Sequence, residues 1–225
     1  LFQPKSIALI GASNRSGSLG AVALDRLRQG GFQGDLSLVN PKYQEVNGMP
    51  CAPSISALPS APDLAVLVSP AATVPDIISD LGKAGGRAAI VISAGFDKTL
   101  KTRMLKAAQP HLLRILGPNC LGFQAPGVGL DASFAHLTPA KGNIALLSQS
   151  GAIVTAMTDW AAARGIAFSV TASLGDMADI DVGDMLDYLA ADRETKAILL
   201  YLDHVTDARK FMSAARSAAR AKPVI

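Results

Sequence analysis

The sequence predicts an α/β protein in which two α/β domains, both with parallel sheets, follow one another. Short apolar runs alternate with segments of helical periodicity along most of the 225 residues. Each apolar run ends in a turn of small or polar residues, which is typical of buried parallel strands. Hydrophobic residues make up 49% of the chain and aromatic residues only 5%. This composition favours helices packed on parallel sheets.

The first predicted strand, 6–10, leads into a glycine-rich turn and a helix predicted over 18–29. The glycines at 11, 17 and 20 let the backbone approach a ligand closely. The free N–H groups and the dipole at the start of a helix favour an anion. The turn therefore indicates a phosphate-bearing ligand, with an ordinary tight strand-to-helix turn as the alternative. The spacing differs from the dinucleotide pattern G-x-G-x-x-G, because two extra residues lie between Gly11 and the glycines at 17 and 20.

Four more strands complete a doubly wound sheet, and residues 47–59 are predicted to be a loop. The strands are expected at 35–39, 63–68, 87–92 and 112–116, with one helix ending near 83 and another at 98–108. The second strand is followed by Asn40 and Lys42, where a dinucleotide-binding domain has an acidic residue for the ribose. This disfavours NAD and suits a ligand with an additional phosphate. The alternative for Lys42 is an exposed loop lysine.

A domain boundary is predicted where periodicity stops. The first domain is expected at 1–125, a linker at 126–141, and a second α/β domain at 142–225. In the second domain we expect strands at 142–147, 167–172 and 197–202, and helices ending near 164, 192 and 221.

A second candidate anion site follows the strand at 142–147. Ser148, Ser150 and Gly151 would bring hydroxyl groups to a helix start, although serine is also a common helix cap. No glycine precedes either serine by two residues, so a hydrolase nucleophile elbow is absent. The aspartates between 176 and 187 fit no EF-hand, and helix capping explains most of them. No metal site is predicted.

Charge and cysteine content narrow the function classes further. The net charge of +3 comes from scattered Lys and Arg, which indicates no nucleic-acid partner. Cys51 and Cys120 lack metal-binding spacing and are expected to be reduced thiols in a cytoplasmic protein. No apolar stretch reaches membrane-spanning length, and no signal peptide precedes the first strand. A chain that starts without Met and ends as a strand begins at Pro223 is expected to be part of a longer protein.

Five ordered motifs give the chain a family resemblance. They lie at 5–13, 39–42, 91–96, 117–122 and 148–151. Together they resemble the NDP-forming acyl-CoA synthetases, relatives of the succinyl-CoA synthetase α-subunit, over essentially the whole chain. The resemblance implies a Rossmann-like CoA-binding domain followed by a flavodoxin-like ligase domain. The implied ligand is CoA or acetyl-CoA, whereas ATP or ADP with Mg²⁺ would bind only through parts outside these residues.

The resemblance also implies two sets of site residues. The predicted CoA-binding residues are Gly11, Ser13, Ser16, Gly17, Ser18, Leu19, Gly20, Asn40, Lys42, Ser69, Pro70, Ser93, Ala94 and Gly95. The residues predicted to face the phosphoryl-transfer site are Asn119, Ser148, Ser150, Gly151, Asp176 and Asp203. None of these residues is expected to be catalytic by itself.

Two departures from the family pattern bear on function. The family carries Gly-Asn where this chain has Gly175-Asp176, and a glutamate where it has Asp203. A carboxylate near the phosphoryl site would repel an incoming anion. The departures therefore favour a sister group, the Pat-type bacterial protein lysine acetyltransferases, in which this region would bind acetyl-CoA in a regulatory or scaffold role.

One alternative is the α-portion of an active synthetase, which converts acyl-CoA, ADP and phosphate to acid, ATP and CoA through a phosphohistidine beyond residue 225. Another is a nicotinamide-dependent oxidoreductase. The expected partners are a CoA thioester, a protein lysine reached through a further domain, and a second copy of the chain in a homo-oligomer.

Overall fold

The computed structural model describes residues 2–225, which contain twelve strands and six α-helices. The strands are β1 Ser6–Ile10, β2 Asp35–Val39, β3 Glu45–Val46, β4 Met49–Ala52, β5 Leu64–Leu67, β6 Ala88–Val91, β7 Arg114–Leu116, β8 Gly122–Ala125, β9 Leu130–Ser133, β10 Lys141–Ser148, β11 Phe168–Ser173 and β12 Ala197–Tyr201. The helices are α1 Leu19–Gln29, α2 Val74–Lys83, α3 Lys98–Ala108, α4 Gly151–Ala162, α5 Val182–Ala191 and α6 Ala208–Ala221.

The first sheet has the strand order β3-β4-β2-β1-β5-β6-β7. All its neighbouring strands are parallel except the short β3–β4 pair. β1 is central and buried, and its Ile7 lies opposite Leu36 on one side and Leu64 on the other. The turns that follow β1, β2, β5 and β6 therefore meet at one carboxyl edge. The doubly wound α/β architecture is confirmed.

The second sheet has the strand order β12-β10-β11-β8-β9. β10 is parallel to both β11 and β12, whereas β8 runs antiparallel to β11 and to β9. This sheet is therefore mixed, and its parallel part presents a second carboxyl edge after Ser148 and Ser173. The antiparallel strands were not expected in a sheet predicted to be parallel throughout.

The structure differs from the prediction in two stretches that were expected to be irregular. The β3–β4 hairpin extends into the loop predicted over 47–59, and the linker predicted over 126–141 contains β9 and the first residue of β10. Residues 122–125, assigned to the end of the first predicted domain, form β8, which pairs with β9 and β11 in the second sheet. The division of the chain into domains stays a prediction.

The aperiodic sequence of β8 and β9 has a physical cause. These strands are buried throughout, so polar and apolar side chains both face the interior. The Asp131 carboxylate is fully buried and accepts hydrogen bonds from Gln124 Nε2 at 2.9 Å, Thr138 Oγ1 at 2.5 Å and Ser133 Oγ at 2.5 Å. A buried polar network of this kind satisfies its own groups without producing the alternating pattern that predicts a strand.

A continuous hydrophobic core joins the two sheets. It includes Leu9 and Leu24 from the first sheet and its helix, and Leu130 and Leu147 from the second sheet. α1 packs against β9, and near the start of the chain the Phe2 ring stacks on the Tyr188 ring of α5 at 3.9 Å between centroids. The two carboxyl edges are thereby fixed relative to each other. Within residues 2–225, every helix is too short or too polar to cross a bilayer.

Candidate functional site

The turn between β1 and α1 is fixed by backbone contacts. Gly11 N–H donates to Val39 O at 2.9 Å, which ties the turn to the end of β2. Gly20, in the first turn of α1, lies so close to Gly11 that a Cβ would collide with the Gly11 carbonyl oxygen. Ser18 caps α1 because its Oγ accepts from Ala21 N–H at 3.3 Å. The start of α1 is therefore pressed against β1 and directed at the sheet edge.

Two asparagines hold the same turn from the side. Asn14 Nδ2 donates to Glu45 O at 2.9 Å, and Asn14 Oδ1 accepts from Asn47 N–H at 3.0 Å, so the β3–β4 hairpin clamps the turn. Asn40 Nδ2 donates to Ala12 O at 2.7 Å. Asn14 and the hairpin were missed by the sequence patterns. An asparagine inside a long glycine-containing turn is the signal that could have indicated it, since its amide readily bonds backbone groups.

The residues predicted to bind CoA lie along the carboxyl edge of the first sheet. Ser16, Gly17, Leu19, Lys42, Pro70, Ala94 and Gly95 are exposed, Gly11, Ser13, Ser18, Asn40 and Ser69 are half-buried, and Gly20 and Ser93 are buried. The Ser93 hydroxyl donates to Ser69 O at 2.5 Å. Ser69 Oγ is buried and has no hydrogen-bond partner among residues 2–225. A ligand could satisfy this unpaired hydroxyl, so the edge fits a polar ligand.

The turn between β10 and α4 is short and closes on itself. Ser148 Oγ donates to Ser150 O at 2.9 Å and accepts from Ser150 N–H at 3.0 Å. Ser150 Oγ caps α4 by accepting from Ile153 N–H at 3.4 Å. A Cβ on Gly151 would lie 3.6 Å from Ser173 Oγ, which is buried and unpaired in the described chain. The α4 start thus combines free N–H groups with an unpaired hydroxyl, as an anion site requires.

Gln149 ties this second turn to the end of β12. Its side-chain oxygen accepts from the N–H groups of Asp203 and His204, the latter at 2.9 Å. Its Nε2 donates to His204 O at 2.9 Å and to Met177 Sδ at 3.5 Å. Gln149 is buried and was not singled out from the sequence, because a glutamine between two serines gives no signal of burial. It holds predicted site residue Asp203 beside the second turn.

Asp176 lies where the two edges meet. Its Oδ1 accepts from Asn119 Nδ2 at 3.2 Å, and its Oδ2 lies 2.5 Å from Lys101 Nζ of α3. The preceding Gly175 has a φ of +57°, and a Cβ there would collide with Pro118 O. The argument that the Asp176 carboxylate repels an incoming anion did not include Lys101, whose positive charge offsets that of the carboxylate.

Hydrogen bonds connect the two edges into one polar row. Asn119 N–H donates to Ser93 O at 3.0 Å, which joins the predicted phosphoryl residues to the predicted CoA residues. Leu174 N–H donates to Ser148 O at 2.8 Å, which places the 174–177 loop beside the second turn. The structure therefore brings both sets of predicted residues to neighbouring edges. Their individual roles stay predictions.

Asp181 and Asp184 of the acidic stretch have structural partners. Asp181 caps α5 in a capping box with Asp184, and Lys210 Nζ lies 2.9 Å from Asp181 and 2.6 Å from Asp184. Burial raises the pKa of Asp181, but Lys210 and the capping N–H outweigh burial and leave that pKa below its usual value. No group of three or more His, Cys, Asp or Glu side chains within residues 2–225 is arranged to hold a metal ion.

Comparisons with known proteins identify the family. A family described as "CoA binding domain" matches residues 5–126, and one described as "Succinyl-CoA ligase like flavodoxin domain" matches residues 141–225. The chain belongs to the NDP-forming acyl-CoA synthetase α-subunit-like family. The resemblance found in the five sequence motifs is confirmed at this level, and so is the predicted fold class.

Similar proteins cover this chain almost entirely. An ADP-forming acetate–CoA ligase I of Archaeoglobus fulgidus is 42% identical over all of this chain and 33% of its own length. The ADP-forming acetate–CoA ligase I subunit alpha of Pyrococcus furiosus is 36% identical over all of this chain and 51% of its own. This chain therefore spans only a third to a half of these relatives.

A solved structure of the dinucleotide forming acetyl-coenzyme A synthetase 1 of Ca. Korarchaeum cryptofilum, in complex with phosphate and ADP, has a TM-score of 0.95. It is 34% identical over 99% of this chain and 49% of its own.

The expectation of a Pat-type acetyltransferase is wrong. Relatives that match the whole chain at 42% and 36% identity are named as ADP-forming ligases. The physical reason is visible at Asp176, whose carboxylate was expected to exclude a phosphoryl group but is paired with Lys101. The findings favour the alternative, an acyl-CoA synthetase α-portion.

Proposed function

We propose that this chain is the CoA- and phosphate-binding part of an ADP-forming acyl-CoA ligase. The complete protein would convert an acyl-CoA, ADP and phosphate to the free acid, CoA and ATP. The thioester C–S bond breaks, the acyl group passes to phosphate, and the phosphoryl group then moves to ADP. A histidine outside residues 1–225, implied by the family resemblance, would carry that phosphoryl group in transit.

One observation supports this function above all others. The polar row runs from Ser69 and Ser93 through Asn119 to Ser148, so the predicted CoA edge and the predicted phosphoryl edge are contiguous. Each end of the row has a buried hydroxyl, Ser69 Oγ or Ser173 Oγ, with no partner in residues 2–225. Phosphorolysis of a thioester needs this proximity, because the thioester carbonyl and the attacking phosphate must meet.

The first turn would bind the nucleotide end of CoA. The N–H groups at the start of α1 face the sheet edge, and Lys42 is exposed beside the turn. Lysine and helix N-terminal N–H groups both favour phosphate. The end of β2 carries Asn40, whose amide is used on Ala12 O, instead of a carboxylate for a ribose. This supports CoA over a nicotinamide cofactor.

The second turn would bind inorganic phosphate and the phosphoryl group derived from it. The free N–H groups of α4 and the Ser173 hydroxyl would donate to the anion, while the Ser148–Ser150 hydrogen bonds keep the turn rigid. Gln149 would keep the Asp203 carboxylate at the same place, where it could orient the cationic ring of a histidine.

The proposal is tested on the complete protein. Acetyl-CoA and other short acyl-CoA thioesters are supplied with ADP and inorganic phosphate, and ATP and free CoA are measured. We expect both products in equal amounts and an acid-labile, base-stable label on the protein from radiolabelled ATP. Calorimetry should detect binding of CoA and none of NAD.

A panel of acyl-CoA thioesters that gives no ATP would contradict the ligase function. Ser150→Ala provides a site variant, since it removes the α4 cap, and Ser217→Ala on exposed α6 provides its control. Turnover should fall in the first variant and stay unchanged in the second.

A further inference from the structure

We infer that Lys101 is a positioning residue that sets the anion affinity of the second turn by neutralising Asp176. The inference rests on the proposed function, because it concerns the phosphate that the second turn would bind. Lys101 belongs to α3 beside the first sheet, whereas Asp176 follows β11 in the second. The pair therefore links the helix layer of one sheet to the loop of the other.

The contact geometry makes the pair specific. Lys101 Nζ lies 2.5 Å from Asp176 Oδ2, and the two side chains are only 33% and 24% exposed. The second carboxylate oxygen is taken by Asn119 Nδ2 at 3.2 Å, and Asp176 N–H donates to Pro118 O at 2.9 Å. The carboxylate is thus held on both sides and cannot turn away from the junction.

Asp176 lies near the start of α4, so the charge of the Lys101–Asp176 pair affects anion binding there. Asp176 lies between Leu174, which donates to Ser148 O, and Met177, whose Sδ contacts Gln149. A carboxylate this close to the start of α4 would oppose binding of an anion there if its charge were not compensated. An ion pair that still reaches solvent contributes little to folding stability, so the expected effect is on ligand binding.

The net charge of the pair in each variant predicts the order of the phosphate affinities. The wild-type pair is neutral, Lys101→Met leaves one negative charge, Asp176→Asn leaves one positive charge, and the double variant is neutral again. Phosphate affinity should therefore be highest in Asp176→Asn, similar in the wild type and the double variant, and lowest in Lys101→Met. An asparagine at 176 can still accept the Asn119 hydrogen bond, so the geometry is retained.

The experiment measures the affinity of inorganic phosphate for the complete protein by calorimetry. Lys101→Met should weaken phosphate binding roughly three- to tenfold, the range expected for one nearby unpaired charge. Lys101→Arg keeps the charge and should retain wild-type affinity. Lys106→Met on the same helix, at an exposed lysine with no ion pair within residues 2–225, should change it by less than about twofold. CoA affinity and the unfolding midpoint should stay near wild type in all variants.

Lys101→Met with unchanged phosphate affinity would overturn the inference, and so would a double variant that fails to recover. A wild-type protein that binds no phosphate would overturn it as well. Turnover is measured separately. A protein without ADP-dependent turnover but with the expected order of phosphate affinities would contradict the proposed function and leave the role of Lys101 supported.

Discussion

The two strand-to-helix turns of the candidate site are built in opposite ways. The first turn has eight residues between the end of β1 at Ile10 and the start of α1 at Leu19, and the four at 14–17 are exposed. The second has two residues between Ser148 and Gly151 and is largely buried. The first is held from outside by the β3–β4 hairpin, which bonds Asn14 of the turn, and by Asn40, whereas the second has hydrogen bonds between its own serines.

This difference matches the size of the proposed ligands. A long exposed turn leaves room for a ligand that lies across the surface, as the nucleotide end of CoA would. A short enclosed turn with one unpaired hydroxyl beside a helix start has room for a small anion. We therefore expect different losses of stability or ligand affinity when the contacts that hold each turn are removed, and the following variants test this.

The largest effect is expected at the backbone contact of the first turn. Gly20→Val forces a side chain into the Gly11 carbonyl oxygen and should cost about 3 kcal/mol or more of unfolding free energy, because neither backbone segment can move away. Urea unfolding measures it. Gly17→Ala is the control, since a Cβ at Gly17 meets no atom within 4 Å and only its φ of +71° opposes it, at about 1 kcal/mol. Equal stabilities of the two variants would contradict the close packing.

A somewhat smaller effect is expected at the internal support of the second turn. Gln149→Leu leaves the N–H groups of Asp203 and His204 without their acceptor and should cost about 2–4 kcal/mol of unfolding free energy. Gln44→Leu, at an exposed position, should change stability by less than about 0.5 kcal/mol. If Gln149→Leu also weakened CoA binding as much as phosphate binding, the two turns would not be independent sites.

The next effect tests the ligand of the first turn. Lys42→Ala should weaken CoA binding by about 1–2 kcal/mol, the loss of one charge-assisted phosphate contact. Dephospho-CoA, which lacks the additional phosphate, should bind equally well to the variant and the wild type. Calorimetry with both ligands measures this, with Lys106→Ala as the control. An unchanged CoA affinity would return Lys42 to the exposed loop lysine that its sequence context also allows.

The smallest effect is the pH dependence of stability that arises from the two free thiols, Cys51 beside Asn40 and Cys120 beside Asn119. Burial raises the pKa of both thiols, from the usual 9.0 to about 12 for Cys120. The unfolded chain then releases the Cys120 proton first, so stability should be complete below pH 9 and fall as pH rises toward 12.

Urea unfolding at pH 8 and pH 10 measures how far the free energy of unfolding decreases between these two pH values. This decrease should be about 1 kcal/mol smaller in Cys120→Ala than in the wild type. A thiol titration of the denatured, non-reduced wild type should find both thiols. A disulfide bond between Cys51 and Cys120 would contradict the structure, in which both thiols are free.

Elements with strong periodicity could be predicted from the sequence, whereas contacts between distant segments could not. The helix predicted over 98–108 has those bounds in the structure, and the helix predicted over 18–29 is found at Leu19–Gln29. β8 and β9 were missed because their buried polar residues satisfy one another. The serine and glycine positions of both turns follow from local chemistry. The supports of those turns, Asn14, Gln149 and Lys101, act through partners far along the chain, and no local pattern identifies those partners.

The position of β8 has a consequence for the exchange of modules between related proteins. The match to the CoA binding domain family ends at residue 126, but Gly122–Ala125 pairs with β9 and β11 in the second sheet. A chimera joined at that boundary would bring a foreign strand into the middle of the host's mixed sheet. A graft that keeps residues 122–133 together with residues 141–225, and restores the α1 face that packs on β9, is expected to fold where the simpler exchange fails.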